Sequence, residues 1–245
     1  MAPAQPFPAH EPTAFPTGGV AVVIGASGGI GAALVKALND DGTFVRVIEW
    51  HRSSVPPLDL IDEASIVIAA QSLADLDLDI RLVFDATGVL QDHATSPEKS
   101  WRQLDAASLA HAYAINAIGP ALIMKHLLPR LARSGKSVFA TLSARVGSIG
   151  DNHLGGWYGY RAAKAGLNQL VRTAAVELRR THHDAVCVAL HPGTVATSLS
   201  EPHTKAGLDV VEPDVAAARL LSLLKGLTSA QTGGFLDYRG DQIPW

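Results

Sequence analysis

Near its start the sequence reads Val20-Ala21-Val22-Val23-Ile24-Gly25-Ala26-Ser27-Gly28-Gly29-Ile30-Gly31, and this stretch decides the fold. The uninterrupted apolar run Val20–Ile24 is typical of a parallel strand that is buried on both faces. A glycine-rich turn follows it, and a helical pattern then begins at Gly29. Glycine lets the backbone approach a pyrophosphate closely, and the free N–H groups at the helix start attract its charge. Glycines also serve tight turns that bind nothing, so the position of this turn between strand and helix carries the inference.

Strand-like and helix-like segments alternate from residue 19 to the end of the chain. This alternation predicts one doubly wound, Rossmann-type α/β domain over residues 18–245, with a mostly seven-stranded parallel sheet and helices on both faces. We expect strands at Val20–Ile24, Thr43–Ile48, Val55–Leu58, Arg81–Ala86, Ser137–Leu142, Ala185–Leu190 and Gly234–Tyr238. We expect helices at Gly29–Leu38, Asp62–Ala74, Leu104–Leu131 (kinked at Pro120), Tyr158–Arg180 and Pro213–Gly226. Only a few residues separate the second and third strands, fewer than a parallel crossover needs.

The composition is that of a globular domain with a large apolar core. Hydrophobic residues make up 47% of the 245 residues, which is enough for a large core, and the formal charge of −3 gives no reason to expect nucleic acid as a partner. Cys187 is the single cysteine, which favours a reducing, cytoplasmic location. Five prolines in residues 1–17 indicate a disordered tail rather than a secretion signal. No apolar run reaches the ~18 residues of a membrane span, and the ten histidines show no metal-ligand spacing.

A tyrosine and a lysine lie one helical turn apart in Tyr160-Arg161-Ala162-Ala163-Lys164. A tyrosine with a pKa of about 10 needs a shift of about three units, or roughly 4 kcal/mol, to act as an acid or base near neutral pH. One ammonium at ~4 Å supplies about that energy at an effective dielectric of ~20. Tyr160 is therefore the candidate general acid/base, with Lys164 as its electrostatic partner. The alternative is an ordinary amphipathic helix in which Tyr160 packs and Lys164 is solvated.

The glycine spacing, at positions 25, 29 and 31, resembles the short-chain dehydrogenase/reductase family, and the Tyr160/Lys164 pair follows about 130 residues later. Ser143–Asn152, Leu154–Tyr158 and the ending Gln242–Trp245 resemble the C-factor and sniffer-type carbonyl reductase branch. The resemblance implies hydride transfer between a nicotinamide cofactor and a small carbonyl or alcohol substrate. It also implies a homodimer or homotetramer, which the small residues of the Tyr160 helix favour.

The resemblance assigns further roles in catalysis. Ser143 would donate a hydrogen bond to the substrate carbonyl, and Asn116 would hold a water that relays protons to Lys164. Ser143 precedes Tyr160 by 17 residues, a few more than the family usually has, and Ser148 precedes it by 12. Ser148 is therefore the competing candidate. We favour Ser143 because it directly follows a predicted strand, where sites collect in open parallel sheets.

The same resemblance assigns cofactor contacts. In the glycine-rich turn these are Gly25, Ser27, Gly29, Ile30 and Gly31. Elsewhere they are Asp59 near the adenine amine, Ala86, Tyr160, Lys164, the Val195 backbone near the carboxamide, and the Thr197 hydroxyl near a phosphate. Asp85-Ala86-Thr87-Gly88 replaces the family's usual Asn-Asn-Ala-Gly.

His51-Arg52 follows the second predicted strand and favours NADP over NAD, because a guanidinium there suits a ribose 2′-phosphate. Glu49 is the competing signal for NAD, since an acidic residue can bind ribose hydroxyls. The unusual Asp85 and the Ser143–Tyr160 spacing also leave an alternative function open. This is a regulatory protein that binds the dinucleotide and turns over little.

Overall fold

The computed structural model describes residues 14–92, 96–200 and 209–245. Strands and helices alternate along the chain as the apolar pattern predicts. The strands are β1 (Val20–Ile24), β2 (Arg46–Trp50), β3 (Ile80–Asp85), β4 (Ser137–Leu142), β5 (Ala185–His191), β6 (Thr194–Val195), β7 (Val210–Val211) and β8 (Phe235–Asp237). The α-helices are α1 (Gly29–Asp41), α2 (Glu63–Gln71), α3 (Ala106–Tyr113), α4 (Gly119–Leu127), α5 (Tyr158–Leu178) and α6 (Pro213–Gly226).

Six of the strands form one parallel sheet in the order β2-β1-β3-β4-β5-β8, and β6 pairs with β7 in a separate two-stranded sheet. The order runs outward from β1 in both directions, which is the doubly wound arrangement, and this confirms the predicted fold class. Apolar clusters cover both faces of the sheet. On one face α2, α4 and α5 pack against the strands, and on the other face α1 and α6 do. β1 is buried along its whole length because both of its faces are covered.

The sheet has six strands rather than seven because the segment predicted as the third strand, Val55–Leu58, contains no strand. Pro56 and Pro57 have no N–H groups to donate to a neighbouring strand, so this segment forms turns instead. β2 also begins and ends later than predicted, at Arg46 and Trp50.

The predicted disordered tail over residues 1–17 is wrong at its end. Phe15 is 4% exposed, its ring meets that of Phe44 edge to face at 5.1 Å, and the Lys136 ammonium lies 4.7 Å from its ring centroid. An aromatic residue that buries this much apolar area anchors the chain to the domain. Residues 1–13 lie outside the described part of the chain.

The predicted helix over Leu104–Leu131 forms one continuous run, Ala106–Arg130. Pro120 is the second residue of α4 and has no N–H to donate to the preceding turn, and a π-helical segment at Ala114–Ile118 precedes it. The kink predicted at Pro120 stays a prediction. The run has 25 residues and contains an 18-residue window with a mean hydropathy of 1.3, so it is long and apolar enough to cross a membrane. Core helices of globular domains pass the same test, and this run packs against α2 and α5. It is therefore weak evidence for a membrane span.

Candidate active site

The candidate residues collect at the carboxyl ends of the parallel strands. The glycine-rich turn follows β1, the segment Ala86–Val89 follows β3, Ser143 follows β4, and His191 ends β5. Ligands bind at this edge of open α/β sheets because the strand order reverses there and leaves a crevice. The fold thus brings together residues that are far apart in the sequence.

The glycine-rich turn has the shape that close approach to a phosphate requires. Gly25 has a φ of 77°, and a methyl group on Gly31 would lie 2.2 Å from the Gly25 carbonyl oxygen, so neither position accepts a larger residue. In the described structure no side chain caps α1 at Gly28, and its first turn contains no acidic residue. The N–H groups at this helix start are therefore available to an anion. Ser27 is exposed and Ile30 half-buried in the same turn.

Other predicted cofactor contacts border this turn. A methyl group on Gly29 would lie 2.8 Å from Thr197 Cγ2, and one on Gly25 would lie 3.2 Å from the Ala86 carbonyl carbon. Thr197 and Ala86 therefore form two walls of the glycine-rich turn. Val195 is buried in β6, two residues before Thr197.

The segment that carries Arg52 follows the end of β2, which is hydrogen-bonded to the glycine-rich turn. The Trp50 carbonyl oxygen, at the end of β2, accepts hydrogen bonds from Gly25 N at 2.8 Å and Ala26 N at 3.3 Å. Arg52 lies two residues beyond Trp50 and is exposed, in a turn closed by the hydrogen bond from Ser54 N to His51 O. Arg52 is therefore a solvent-exposed side chain two residues beyond the carbonyl that binds the glycine-rich turn.

Asp59 lies farther along the connection from β2 to α2. It is half-buried, and its carboxylate accepts the N–H of Ile61 at 3.2 Å. From the sequence, Ser200–Val211 is a candidate lid over the substrate, and most of this segment lies outside the described residues.

Tyr160 and Lys164 lie on one face of α5, with the Lys164 ammonium 5.8 Å from the centre of the Tyr160 ring. The ammonium donates a hydrogen bond to the Leu142 carbonyl oxygen at 2.7 Å, and Lys164 is 2% exposed. The alternative of a solvated lysine is therefore wrong. Burial lowers the pKa of Lys164 to about 8, and burial raises the pKa of Tyr160 above its usual value. Desolvation thus raises the pKa of Tyr160, whereas acid/base chemistry near neutral pH needs this pKa to be lowered.

Asn116 is fully buried in the π-helical segment and holds the backbone after β3. Its Oδ1 accepts a hydrogen bond from Val89 N at 3.0 Å, and its Nδ2 donates to Val89 O at 2.8 Å and to Ala112 O at 3.1 Å. A methyl group on Gly88 would lie 3.4 Å from Asn116 Oδ1 and 3.6 Å from Lys164 Nζ. Gly88 therefore lies between the amide and the ammonium, which places Asn116 beside the Tyr160/Lys164 pair.

Both candidate serines are buried, and the hydroxyl of each makes a hydrogen bond within the protein. The Ser143 hydroxyl donates a hydrogen bond to Asn168 Oδ1 at 2.7 Å, and Ser143 is 4% exposed. The Ser148 hydroxyl accepts the N–H of Asp151 at 3.1 Å. Ser143 must turn away from Asn168 before its proton can reach a substrate.

Sequence reasoning missed two residues at the site, Asn168 and Glu98. Asn168 lies one turn after Lys164 on the same face of α5, and the spacing 160, 164, 168 could have indicated it. Glu98 is 8% exposed, and its carboxylate accepts the N–H of Gly159, at 3.2 Å for the nearer oxygen, in the first turn of α5. It contacts that helix from a loop 61 residues earlier in the chain, so only the fold reveals it.

Comparison with known proteins agrees with this geometry. Residues 19–207 match the family model for short chain dehydrogenase. The C-signal protein of Myxococcus xanthus is 36% identical over 143 residues, which cover 58% of this chain and 81% of that protein. The 1-hydroxy-2-glutathionyl-2-methyl-3-butene dehydrogenase of Rhodococcus sp. (strain AD45) is 29% identical and covers 91% of this chain and 98% of its own length.

Solved structures show the same fold. The NADPH-bound carbonyl reductase from chicken fatty liver superposes with a TM-score of 0.81 at 25% identity, over 95% of this chain and 96% of that one. The carbonyl reductase Sniffer of D. melanogaster superposes with a TM-score of 0.80 at 21% identity, over 94% of this chain and all of that one. The resemblance to the C-factor and sniffer-type branch is thereby confirmed. The chain belongs to the short-chain dehydrogenase family of oxidoreductases.

Proposed function

We propose that this chain is an NADP-dependent oxidoreductase that transfers hydride between the nicotinamide and a small carbonyl or alcohol substrate, with Tyr160 as general acid/base. The observation that carries the proposal is the placement of Tyr160 and Lys164 beside Gly88 and Asn116, at the strand ends next to the glycine-rich turn. This is one contiguous site with a phenol, an ammonium and an anion-binding helix start.

The residues of the chain have distinct parts in the reaction. The cofactor supplies the hydride when it is bound. During reduction the Tyr160 hydroxyl donates its proton to the carbonyl oxygen, and the Lys164 ammonium stabilises the phenolate that this leaves. Ser143 is the candidate to polarise the carbonyl, and Asn116 fixes the backbone beside Lys164 and, by family resemblance, returns the proton through a water. Because burial raises the pKa of Tyr160, the positive charge of Lys164 is essential to the proton transfer.

The cofactor preference rests on two observations. The exposed Arg52 lies next to the turn that Gly25 and Ala26 form with the Trp50 carbonyl, and a guanidinium suits a phosphate better than a hydroxyl. The similar carbonyl reductase from chicken fatty liver has NADPH bound. Glu49 is exposed and could bind the ribose hydroxyls of NAD, which is the weaker of the two signals.

The direct test is NADPH oxidation, followed by absorbance, with a broad panel of aldehydes and ketones. We expect turnover in the wild type and a loss of at least about 100-fold in kcat for Tyr160→Phe, since general acid catalysis contributes about that factor or more. Tyr158→Phe is the matched control, because it makes the same change two residues earlier on α5. Full turnover by Tyr160→Phe would overturn the mechanism.

A dinucleotide-binding regulatory protein is the second candidate. It is favoured by the buried hydrogen bond between Ser143 and Asn168, which holds the only proton of that hydroxyl. Tight binding of NADPH in calorimetry without turnover on any compound of the panel would support this role over the enzymatic one.

Self-association is part of the proposal. The small residues Ala162, Ala165 and Gly166 line a groove of about 720 Å³ that Tyr113 and Trp245 border. A second copy can approach closely over small side chains, so we infer a homodimer or homotetramer through this face of α5. We expect Ala165→Glu to reduce the mass measured by light scattering to that of a monomer, and Val45→Glu at a different exposed site to leave it unchanged. We further propose a cytoplasmic location, because the buried single cysteine makes no disulfide.

A further inference from the structure

Asp85 is a carboxylate inside the core of the molecule. It ends β3, is fully buried, and stands where the family commonly has an asparagine. Its Oδ1 accepts hydrogen bonds from Thr87 N at 3.0 Å and Thr87 Oγ1 at 2.5 Å, and its Oδ2 accepts one from Thr141 Oγ1 at 2.7 Å. Three donors directed at one carboxyl group favour its ionised form, because a carboxylate accepts and does not donate.

The Lys164 ammonium is hydrogen-bonded to β4 beside the residue that binds Asp85. Asp85 is bonded to Thr141, and Lys164 donates to the carbonyl of the next residue, Leu142. Gly88, three residues after Asp85, also lies beside the ammonium. The Asp85 carboxylate and the Lys164 ammonium are thus hydrogen-bonded to consecutive residues of β4, and the ammonium lies 5.8 Å from the centre of the Tyr160 ring.

Asp85 and Lys164 each oppose the effect that burial has on the pKa of the other. Burial raises the pKa of Asp85, and the Thr87 and Thr141 hydrogen bonds and the charge of Lys164 oppose this rise. Burial lowers the pKa of Lys164 to about 8, and the charge of Asp85 opposes this fall. In the part of the chain that the structure describes, no other charged side chain acts on either group. The remaining polar groups that face Lys164 are the uncharged Asn116 and Tyr160.

We propose that Asp85 is a positioning residue whose buried carboxylate keeps Lys164 protonated at neutral pH. An asparagine at this place could accept the Thr87 hydrogen bonds but would bring no charge. Without the carboxylate, a lysine this deeply buried loses its proton near neutral pH and leaves the phenolate of Tyr160 unsupported. The importance of this pair for the reaction rests on the proposed function, whereas the charge pair itself does not.

The test measures the protonation of Lys164 directly. Protein with ¹³C-labelled lysine is titrated with pH, and the Cε resonance of Lys164, assigned with Lys164→Met, reports its midpoint. We expect Asp85→Asn to lower this midpoint by about one pH unit or more, because it removes the negative charge that favours the protonated form of Lys164. The matched control is Asp237→Asn, which makes the same change at the end of β8 and should leave the midpoint unchanged.

Equal midpoints in the wild type and in Asp85→Asn would overturn the proposal. If Asp85→Asn does not fold, as judged by circular dichroism, the ¹³Cγ resonance of Asp85 in the wild type decides instead. An ionised carboxylate at pH 7 supports the pair, and a protonated one overturns it. These titrations need no turnover, so their failure is separate from a failure of the carbonyl panel, which tests the proposed function.

Discussion

The side chain of Asn116 binds both polar groups of the Val89 backbone, accepting from its N–H at 3.0 Å and donating to its carbonyl at 2.8 Å. This pairing closes the segment after β3 against the π-helical segment. Gly88, next to Val89, is thereby held against the Lys164 ammonium. The position of the segment beside the candidate site therefore depends on one amide.

We expect Asn116→Ala to destabilise the fold by roughly 1–3 kcal/mol, because it leaves backbone groups of the half-buried Val89 without partners. Urea unfolding measures this change. If the amide also positions the segment beside Lys164, kcat falls more than the loss of folded protein explains. Ser137→Ala, which removes a buried hydroxyl at the opposite end of β4 from the candidate site, is the control that should leave kcat unchanged. A stable and fully active Asn116→Ala would contradict the assigned role.

Glu98 should affect catalysis through the start of α5. Glu98→Ala removes the acceptor of the Gly159 N–H, one residue before Tyr160, and we expect a loss of about 0.5–2 kcal/mol in unfolding free energy, as for other helix caps. We also expect a lower kcat with a nearly unchanged KM for NADPH, because Tyr160 moves while the glycine-rich turn does not. Glu98→Gln should recover most of the activity, since its amide oxygen still accepts.

Asp105→Ala provides the comparison, since the Asp105 carboxylate accepts Ser108 N at 2.8 Å and so caps α3 in the same way. It should lower stability and leave kcat unchanged. Equal losses of kcat in the two variants would mean that Glu98 has only a general structural role.

Arg52 should determine the preference for the phosphorylated cofactor. A hydrogen bond to a charged group is worth about 1.5–3 kcal/mol, so Arg52→Gln should raise the KM for NADPH about 10- to 100-fold and change the KM for NADH little. Steady-state kinetics with both cofactors measure the ratio. Arg46→Gln, at the opposite end of β2, is the control. A parallel change for both cofactors would show that Arg52 does not contact the 2′-phosphate.

Lys136 should make the stability depend on pH. It is 2% exposed, donates to the Lys225 carbonyl at 2.7 Å, and burial lowers its pKa to about 8 from 10.5. Between these two pH values the unfolded chain binds more protons at this residue than the folded chain, so its contribution to the unfolding free energy rises with pH. Below about pH 8 the folded state carries the full cost of burying this charge.

We therefore expect the unfolding free energy of the wild type, relative to Lys136→Met, to increase from pH 8 to pH 10.5. Guanidinium unfolding at several pH values measures it. Lys36→Met should show no such increase, because the Lys36 side chain is 71% exposed. A difference between wild type and Lys136→Met that is constant over this range would contradict the burial of a charged lysine.

Much of the fold could be predicted from residue types alone. The strand patterns predicted β1 and β4 at their observed bounds. β1 is apolar throughout because both of its faces are covered. The prediction of a strand at Val55–Leu58 was wrong. The segment is apolar like a strand, but Pro56 and Pro57 have no N–H to donate to a neighbouring strand. The burial of Phe15 was not predicted, because the many prolines around it indicate a disordered segment and one aromatic side chain gives little signal against them.

The candidate site was predictable only in part. Tyr160 and Lys164 share one helix, so their spacing carries the signal. The contacts of Ser143 with Asn168 and of Glu98 with Gly159 join segments that are 25 and 61 residues apart, and no local pattern encodes them. The raised pKa of Tyr160 arises from burial by the whole domain, which a calculation with one charge pair leaves out.

The Trp50 carbonyl has a consequence for engineering. By accepting both Gly25 N and Ala26 N, it ties the end of β2 to the glycine-rich turn ahead of the residues that would select the cofactor. Residues 51–54 can therefore be exchanged as a cassette while the anchor that they follow stays in place. In the proposed enzyme, residues 51–54 would then set the coenzyme preference separately from the glycine-rich turn, which would hold the pyrophosphate.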